Sequence, residues 1–410
     1  GRSLQMPTIV VNALGILLPV MGLVMAPIVT IMLSGGQGTN YTLAFIYDLV
    51  LPSVILLIII VLGARKPGSF SRIDVSKHPD APPPGCYNLE IGGKKTPVPM
   101  LPVAIIIAVI FASISIMWLI SQYGPGAEKP SPEELQDKTR AFYTLPLILG
   151  IAFGIGVYTY GLSSQRLAIR EKIKNTEKEF ADALYQLGNI MNQGQPFEIA
   201  VVRAAKIMTG STIEPFFRSI ARNIRELGMP IRDAIYNRRY GALRYLPSDL
   251  VANILEIVTE STRKGVLIAA STAMNISTYL KNMKQVEEEI EAMLSESMQS
   301  MKFQAYLLAP VVCGIIVGLS QMIITILAQV TQRAQDAFGG IAGTSGGGLM
   351  KAFNLQNAIP PDQLQIIVGI YVVELLTILG MFIAVLQYGP EDKIAKYNSI
   401  GITVMAGSVI

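Results

Sequence analysis

GQPFEIA at residues 194–200 and GMPIRDA at residues 228–234 are two copies of one short pattern in this sequence. In each copy a Gly stands two positions before a Pro, and an apolar residue and then an Ala follow at fixed distances. Gly is favoured just after the end of a helix, and Pro is favoured at the first position of the next helix. We therefore predict a tight turn between two helices at each copy. The predicted turn residues are Gly194, Pro196, Gly228 and Pro230.

The two turns lie in a polar interval, residues 163–302, which contains most of the Lys and Arg residues of the chain. Within it, apolar residues recur at three- and four-residue spacing, which is typical of the buried face of a helix. We interpret these stripes as the core of an antiparallel helical bundle. They are Phe180, Leu184, Leu187 and Met191, then Phe197, Ala200, Val201 and Ala204, then Leu250, Ile254, Ile257 and Val258. Pro247 is predicted to open the helix that carries the last stripe.

A single long helix is predicted to follow Gly265, because no Pro or Gly interrupts the sequence from Val266 to Tyr306. It should continue directly into the apolar run that follows. Apolar residues recur along it by threes and fours, in the manner of a coiled-coil seam. The seam residues are Tyr279, Met283, Val286, Ile290, Met293, Ser297 and Met301.

The composition indicates a membrane protein. Of the 410 residues, 51% are hydrophobic and 15% are charged, and the mean hydropathy is +0.46. Soluble domains carry roughly a quarter charged residues, and a helix needs about 20 apolar residues to cross the hydrocarbon core. Six runs meet this length and a seventh begins near the end of the chain. The runs are Val11–Leu33, Leu43–Leu62, Leu101–Ile120, Phe142–Leu162, Tyr306–Ala328, Leu364–Leu386 and Tyr397–Ile410.

The predicted fold class is an all-α, polytopic helical membrane protein with about seven spans and a cytoplasmic antiparallel helical bundle. Residues 1–162 are predicted as a membrane domain with four spans and a cytoplasmic loop at 64–100. Residues 163–302 form the bundle, and residues 303–410 hold two full spans and the start of a third. Basic residues concentrate in alternate loops, so the positive-inside rule places the N-terminus and the bundle on the cytoplasmic side of the cell membrane.

The sequence contains no pattern that is typical of catalysis or metal binding. It has no Walker phrase, no zinc-ligand spacing and no nucleophile elbow. A single histidine, His78, and two cysteines, Cys86 and Cys313, supply few ligands or nucleophiles. We therefore predict a protein that has no catalytic residues, cofactor or metal and that does not bind nucleic acid.

The polar interval resembles the type II secretion F domain, which is found in membrane platform proteins of secretion systems and type IV pili. The likeness rests on the two Gly-x-Pro turns and on the segment from Leu246-Pro247 to Gly265-Val266-Leu267. The family's Gly-Glu-x-x-Gly-x-Leu-like phrase is represented loosely at 259–267, with Thr259 in place of the leading Gly. The layout of spans around the bundle is most similar to the archaeal branch, which assembles archaella and type IV pili. Those relatives often have two bundles, so a first bundle either lies upstream of Gly1 or is absent.

The resemblance implies a platform without enzymatic activity, embedded in the lipid bilayer. A cytoplasmic hexameric secretion ATPase would dock on its basic inner face and move it. The spans would then help to lift prepilin or archaellin subunits out of the bilayer into a growing filament. Members of the family are often dimeric, so a homodimer is one assembly that the resemblance allows, although the sequence does not fix the oligomeric state.

Basic residues cluster around turns of the predicted bundle, and the resemblance makes them candidates for docking the ATPase. They are Arg222, Arg225, Arg232, Arg238, Arg239, Arg244, Arg263 and Lys264. Charge on such turns steers and orients an acidic partner more than it adds affinity. The alternative is a positive-inside signal, or attraction to anionic lipid at about 1 kcal/mol per charge.

Two carboxyl groups and two glycine pairs stand out within the predicted spans. Asp48 and Glu374 lie where an ionisable group costs roughly 2.5–3.5 kcal/mol. One interpretation is a buried contact with the prepilin or between helices. Another is proton coupling in a secondary transporter, which is the alternative function of the chain. A third reading is a carboxyl that is protonated or bonded to a Tyr or Thr. The pairs Gly150-x-x-x-Gly154 and Gly314-x-x-x-Gly318 predict close helix approach, within or between protomers.

Overall fold

The computed structural model describes residues 44–64, 73–91, 94–123, 139–338, 361–389 and 392–409. Helices dominate this part of the chain. They are α1 (Leu51–Ala64), α2 (Met100–Tyr123), α3 (Thr139–Asn192), α4 (Phe197–Ile207), α5 (Glu214–Arg225), α6 (Ile231–Tyr236), α7 (Asp249–Thr262), α8 (Val266–Phe303), α9 (Ala309–Phe338), α10 (Pro361–Tyr388) and α11 (Lys393–Val409). Strands β1 (Cys86–Ile91) and β2 (Lys94–Pro99) form a hairpin. Shorter turns are the π-helical Phe45–Val50 and Gln304–Leu308 and the 3₁₀ turns Val75–Lys77 and Ala242–Arg244.

Four helical stretches in the described part are long and apolar enough to cross a membrane, as expected for a helical membrane protein. They are Met100–Ser121, Phe142–Asn192, Met298–Leu319 and Asp362–Tyr388, and each overlaps one of the third to sixth predicted runs. The second run forms a shorter apolar helix, Phe45–Val61. The seventh run lies on α11. The first run, Val11–Leu33, lies outside the described residues.

The contacts divide the chain into two compact units. The apolar-helix unit contains the described residues 44–64, 99–123, 139–161, 294–338, 361–389 and 392–409. The bundle unit contains residues 73–91, 94–98 and 162–293. The loop at 64–100 was grouped with the first four spans from the sequence, but its described residues up to Val98 belong to the bundle unit.

Helix α10 is the centre of the apolar-helix unit. It is the most buried of the membrane-length helices, and it packs against α1, α9 and α11. Its side chains Tyr371 and Phe382 are among the largest that are fully buried. Glycines permit the close packing: a Cβ on Gly380 would lie 2.9 Å from the Ile400 Cα of α11. The polar residues Asp362 and Gln365 of α10 are buried among these helices.

The bundle unit is built on the predicted stripes. The residues of the first two stripes are all buried, and so are Ile254 and Val258 of the third. Ile257 is 51% exposed, so its assignment to the core is wrong. Val251 and Leu255, which the prediction omitted, are fully buried instead. They place the buried face of α7 on the side of the helix away from Ile257.

Both Gly-x-Pro copies form the predicted turns. Gly194 and Gly228 have φ of +79° and +61°, a conformation that favours Gly after a helix end. Pro196 and Pro230 are the residues immediately before α4 and α6, one position earlier than predicted. Pro247 was predicted to open α7, but the helix begins at Asp249 after the N-cap Ser248.

A carboxylate on α3 holds the start of α5. Glu179 Oε2 accepts hydrogen bonds from the backbone N–H groups of Thr212 at 2.7 Å and Ile213 at 3.2 Å. These groups lie at the N-terminus of α5, where N–H groups have no partner inside the helix and the helix dipole favours negative charge. Glu214, in the first turn of α5, accepts from Gly210 N–H at 2.7 Å and pairs with Arg218.

The hairpin was not part of the all-α prediction, which expected only an ordered, non-helical loop here. The side chain of Gln165 on α3 binds it, because Oε1 accepts from Asn88 N–H at 2.9 Å and Nε2 donates to Asn88 O at 2.7 Å. Pro97 and Pro99 remove two N–H donors from β2. The hairpin is thereby fastened to α3.

Helix α8 runs on without a break, as predicted, through the π-helical turn into α9. However, no neighbouring element covers most of the predicted seam in the described part of the chain. Tyr279, Val286, Ile290 and Met293 are 48–67% exposed, and only Met301 of the described seam side chains is buried. The small residues Ala270, Ala273 and Ser277 pack against α3 instead, and Ser277 Oγ donates to Ala181 O at 2.6 Å. Spacing by threes and fours does not by itself show which side of a helix is covered.

We expect Glu179→Ala to lower the free energy of unfolding of the bundle unit by about 1–2 kcal/mol, because two N–H groups at the start of α5 lose their acceptor. Glu171→Ala is the matched control, since Glu171 is an exposed carboxylate on the same helix. Chemical denaturation followed by helical circular dichroism measures both. Equal midpoints for the two variants would show that the cap contributes nothing.

Candidate functional site

Three of the candidate docking arginines lie in one exposed loop of the bundle unit, residues 237–245, which we call the Arg–Tyr loop. It follows α6 and includes the 3₁₀ turn Ala242–Arg244. Its exposed side chains include Arg238, Arg239, Tyr240, Arg244 and Tyr245. The loop therefore presents basic and aromatic groups together, the pair of side-chain types most enriched at the energetic centres of protein interfaces.

Hydrogen bonds within the loop fix its turn. The Asn237 side-chain oxygen accepts from the N–H groups of Arg239 at 2.9 Å and Tyr240 at 3.2 Å. Gly241 N–H donates to the Asn237 carbonyl oxygen at 2.8 Å. A Cβ on the buried Gly241 would lie 2.5 Å from that same oxygen, so a larger residue would displace the turn.

A buried side chain on α5 anchors the loop to the bundle. Asn223 is only 1% exposed, and its Nδ2 donates to the carbonyl oxygens of Ala234 at 3.1 Å and Tyr240 at 2.7 Å. Sequence reasoning missed this residue. The available signal was an amide on the apolar face of α5, because a buried polar group is almost always hydrogen-bonded.

In the part of the chain that the structure describes, the arginines of the loop are not neutralised by carboxylates. Among the described residues, no ion pair joins Arg238, Arg239 or Arg244 to an Asp or Glu. The Arg239 guanidinium lies 5.5 Å from the Tyr240 ring centroid, and that of Arg244 lies 5.8 Å from Tyr245. Arg244 also donates to the Arg239 carbonyl oxygen at 3.2 Å. These contacts hold the positive charges in place without cancelling them.

The other basic candidates divide into two groups. Arg222 and Arg225 are exposed on α5, and Arg232 is exposed on α6. Since α5, α6 and the 3₁₀ turn of the loop pack against one another, these three share adjoining elements with the loop. The remaining two, at the turn between α7 and α8, are separate. There Arg263 pairs with Glu260 at 3.4 Å, and Lys264 is exposed.

Tyr236 links α6 to α7 beside the loop. Its hydroxyl donates to the Ala252 carbonyl oxygen at 2.7 Å. Burial raises the pKa of Tyr236 to about 12, with a smaller rise from Glu256 and an opposing effect of Arg232. The hydroxyl therefore stays protonated and remains a donor at every physiological pH.

The apolar-helix unit contains a second candidate, a cleft of about 380 Å³ lined by both intramembrane carboxylates. Asp48 lies in the π-helical turn Phe45–Val50, and Glu374 lies on α10. Ser53 and Thr377 also line the cleft. We call this the acidic cleft. The sequence marked each carboxylate by its depth in a span, but their convergence was not predicted.

Within the described residues, neither carboxylate is seen to make the hydrogen bond to a Tyr or Thr that was one reading of the sequence. Asp48 Oδ1 and Glu374 Oε2 are buried atoms that find no partner in the part of the chain that the structure describes. The Thr377 hydroxyl donates to the Val373 carbonyl oxygen at 2.8 Å instead. Unpaired carboxyl oxygens among apolar helices are costly, which makes the cleft a functional candidate.

The two glycine pairs have different surroundings. A Cβ on Gly150 would lie 2.8 Å from the Ala108 carbonyl oxygen of α2, and one on Gly154 would lie 3.0 Å from the Ala108 Cβ. This pair therefore packs within the protomer. Gly314 and Gly318 on α9 are exposed, with no described neighbour within 4 Å of an added Cβ.

No family model, curated protein or solved structure matches this chain. The resemblance to the F domain therefore stays a prediction. Within the described residues, no group of three or more His, Cys, Asp and Glu side chains is arranged to hold a metal ion. The Arg–Tyr loop and the acidic cleft remain as candidate sites.

We expect Gly150→Leu to weaken the packing of α3 on α2 by about 1–3 kcal/mol, because the new side chain would collide with the α2 backbone. Gly314→Leu is the control, since its side chain would enter open space. The single tryptophan, Trp118 on α2, stacks on Tyr143 of α3 at 5.5 Å, so its fluorescence reports this contact during thermal unfolding in detergent. Equal melting temperatures would show that the close approach is dispensable.

Proposed function

We propose that the chain is a membrane platform of a type IV filament assembly machine, either an archaellum or an archaeal pilus. In this role it couples a cytoplasmic hexameric secretion ATPase to the extraction of prepilin or archaellin subunits and to filament assembly. The observation that carries the proposal is the Arg–Tyr loop, a fixed and exposed turn whose three arginines lack acidic partners among the described residues. The resemblance of the surrounding bundle to the F domain points in the same direction.

The proposal includes a seven-span topology in the cell membrane, with the N-terminus and the bundle unit in the cytoplasm. Its support is the distribution of Lys and Arg among the loops, which follows the positive-inside rule. On this topology the Arg–Tyr loop faces the compartment that contains ATP and the ATPase. Arg222, Arg225 and Arg232 extend the same basic surface, and Arg263 and Lys264 lie at a separate turn of the bundle unit.

Helix α8 is the element that we propose transmits movement. It contributes residues to the bundle unit as far as Met293 and to the apolar-helix unit from Leu294. The chain stays helical from there through α9. An ATPase that displaces the bundle would therefore act on a continuous hydrogen-bonded backbone, which leads to a segment apolar enough to span the bilayer.

We expect Arg238→Glu/Arg239→Glu to weaken binding of the purified ATPase about a hundredfold, because like charges would meet at the interface. The double variant leaves Arg244, which bonds the loop backbone, in place. Arg203→Glu/Lys206→Glu changes the net charge equally on the exposed face of α4 and is the control. Both proteins should insert into membranes normally, as measured by membrane fractionation. Equal ATPase affinity for the two double variants would remove the loop from the interface.

A second candidate function is a proton-coupled secondary transporter, which the acidic cleft favours. Carboxylates in a cavity between membrane helices are typical of proton relays. Asp48 and Glu374 line one cleft and each has a buried oxygen without a described partner. The two candidates are separable, because only the platform requires the ATPase and only the transporter requires proton movement.

For the transporter we expect wild-type protein in liposomes to take up protons when an extract of the cell's small metabolites is supplied outside. Glu374→Gln should take up none, because an amide cannot release a proton, whereas Glu171→Gln on the bundle should behave as wild type. A pH-sensitive dye inside the liposomes measures this uptake. If wild-type liposomes show no uptake and the protein co-purifies with the ATPase, the platform is the surviving function. Normal filament assembly by cells that carry Glu374→Gln would further exclude a necessary charge at this position.

A further inference from the structure

We propose that the Arg–Tyr loop is a preformed recognition element for an acidic protein surface, and that the buried Asn223 is the positioning residue that sets its shape. The inference rests on the proposed function, since the partner that would carry the acidic surface is the ATPase. It adds that the shape of the loop, and not only its charge, decides the affinity.

The shape of the loop is set by groups other than the charged ones. The buried Asn223 side chain donates a hydrogen bond to the Tyr240 carbonyl oxygen. The Asn237 side-chain oxygen accepts from the N–H groups of Arg239 and Tyr240. Gly241 leaves no room for a Cβ. A surface that needed only positive charge would require none of these three constraints, since a flexible basic segment attracts acidic partners as well.

Preformed side chains reduce the entropy lost on binding. Arg239 and Arg244 are each placed over the ring of the tyrosine that follows them. A long side chain that is already ordered costs less on association than the roughly 0.5–1.5 kcal/mol of a mobile one. The planar guanidinium then presents parallel N–H groups, which match the two oxygens of a carboxylate.

A protein partner fits the loop better than an anionic membrane does. Attraction to a lipid surface depends on the number of basic residues and adds with each, without a demand on geometry. A membrane-binding loop also tends to insert apolar side chains. Leu243 is the only aliphatic Leu, Ile or Val of the loop, and it packs against the bundle core instead. The exposed aromatic groups, Tyr240 and Tyr245, are of the type that forms interface hot spots.

The test changes the shape of the loop without changing its surface charge. Full-length protein in nanodiscs is immobilised, and the kinetics of binding to the purified ATPase are measured for Asn223→Ala, Gly241→Ala and Asn237→Ala. Asn253→Ala, an exposed asparagine on α7, is the control. We expect each loop variant to dissociate about tenfold faster, with an association rate within about twofold of wild type, because steering depends on the unchanged net charge. The control should match wild type in both rates.

Four outcomes decide the matter. Faster dissociation at an unchanged association rate supports the inference. Wild-type rates in all loop variants would overturn it and leave the platform function intact. Absence of any binding by the wild-type protein would sink the platform function itself. If Arg238→Glu/Arg239→Glu instead loses flotation with vesicles of equal parts phosphatidylglycerol and phosphatidylcholine while binding the ATPase normally, the loop recognises lipid and the inference fails. Should Asn223→Ala unfold, Gly241→Ala and the variant of the exposed Asn237, Asn237→Ala, decide the question.

Discussion

Close approach of helices at glycine is a packing constraint common to both units, and α3 shows it in each of them. In the apolar-helix unit, Gly150 and Gly154 let the α2 backbone come within reach of α3. In the bundle unit, Gly188 does the same for α8, because a Cβ there would lie 3.1 Å from the Ala270 carbonyl oxygen. Glycine weakens an isolated helix, so these positions give up helix propensity in exchange for contact area. The 54-residue helix α3 therefore makes close backbone contacts in each unit, with α2 in one and with α8 in the other.

Much of this fold could be predicted from the sequence because its signals are local. The Gly-x-Pro turns, the stripes beginning at Phe180 and Phe197, and the unbroken α8 all follow from residues a few positions apart. The errors have a common cause. Ile257 and the seam on α8 have suitable spacing, but whether a neighbour covers them depends on contacts that are distant in sequence. The attachment of the hairpin to α3 was missed for the same reason, since Gln165 and Asn88 are far apart along the chain.

The two candidate sites present opposite electrostatic situations. The arginines of the Arg–Tyr loop remain in water, where an unpaired charge costs little and acts at a distance on an approaching partner. Asp48 and Glu374 lie among apolar helices, where a charge without partners costs several kcal/mol. Their types and approximate depths could be read from the sequence. The hydrogen bonds of Asn223 and the shared cleft could not, because both join separate segments of the folded chain.

The amide of Gln165 has a consequence for how safely this chain can be synthesised. A small sheet with a free edge is a template on which another nascent chain can add a strand. The Gln165 side-chain amide accepts from the Asn88 N–H group and donates to the Asn88 carbonyl oxygen, as the backbone of a neighbouring strand would. It therefore satisfies the hydrogen-bonding groups of Asn88 at that edge. The prolines of β2 supply no donors to an incoming strand. This protection of the edge therefore begins only when Gln165, 77 residues after Asn88, has been synthesised and its helix has formed.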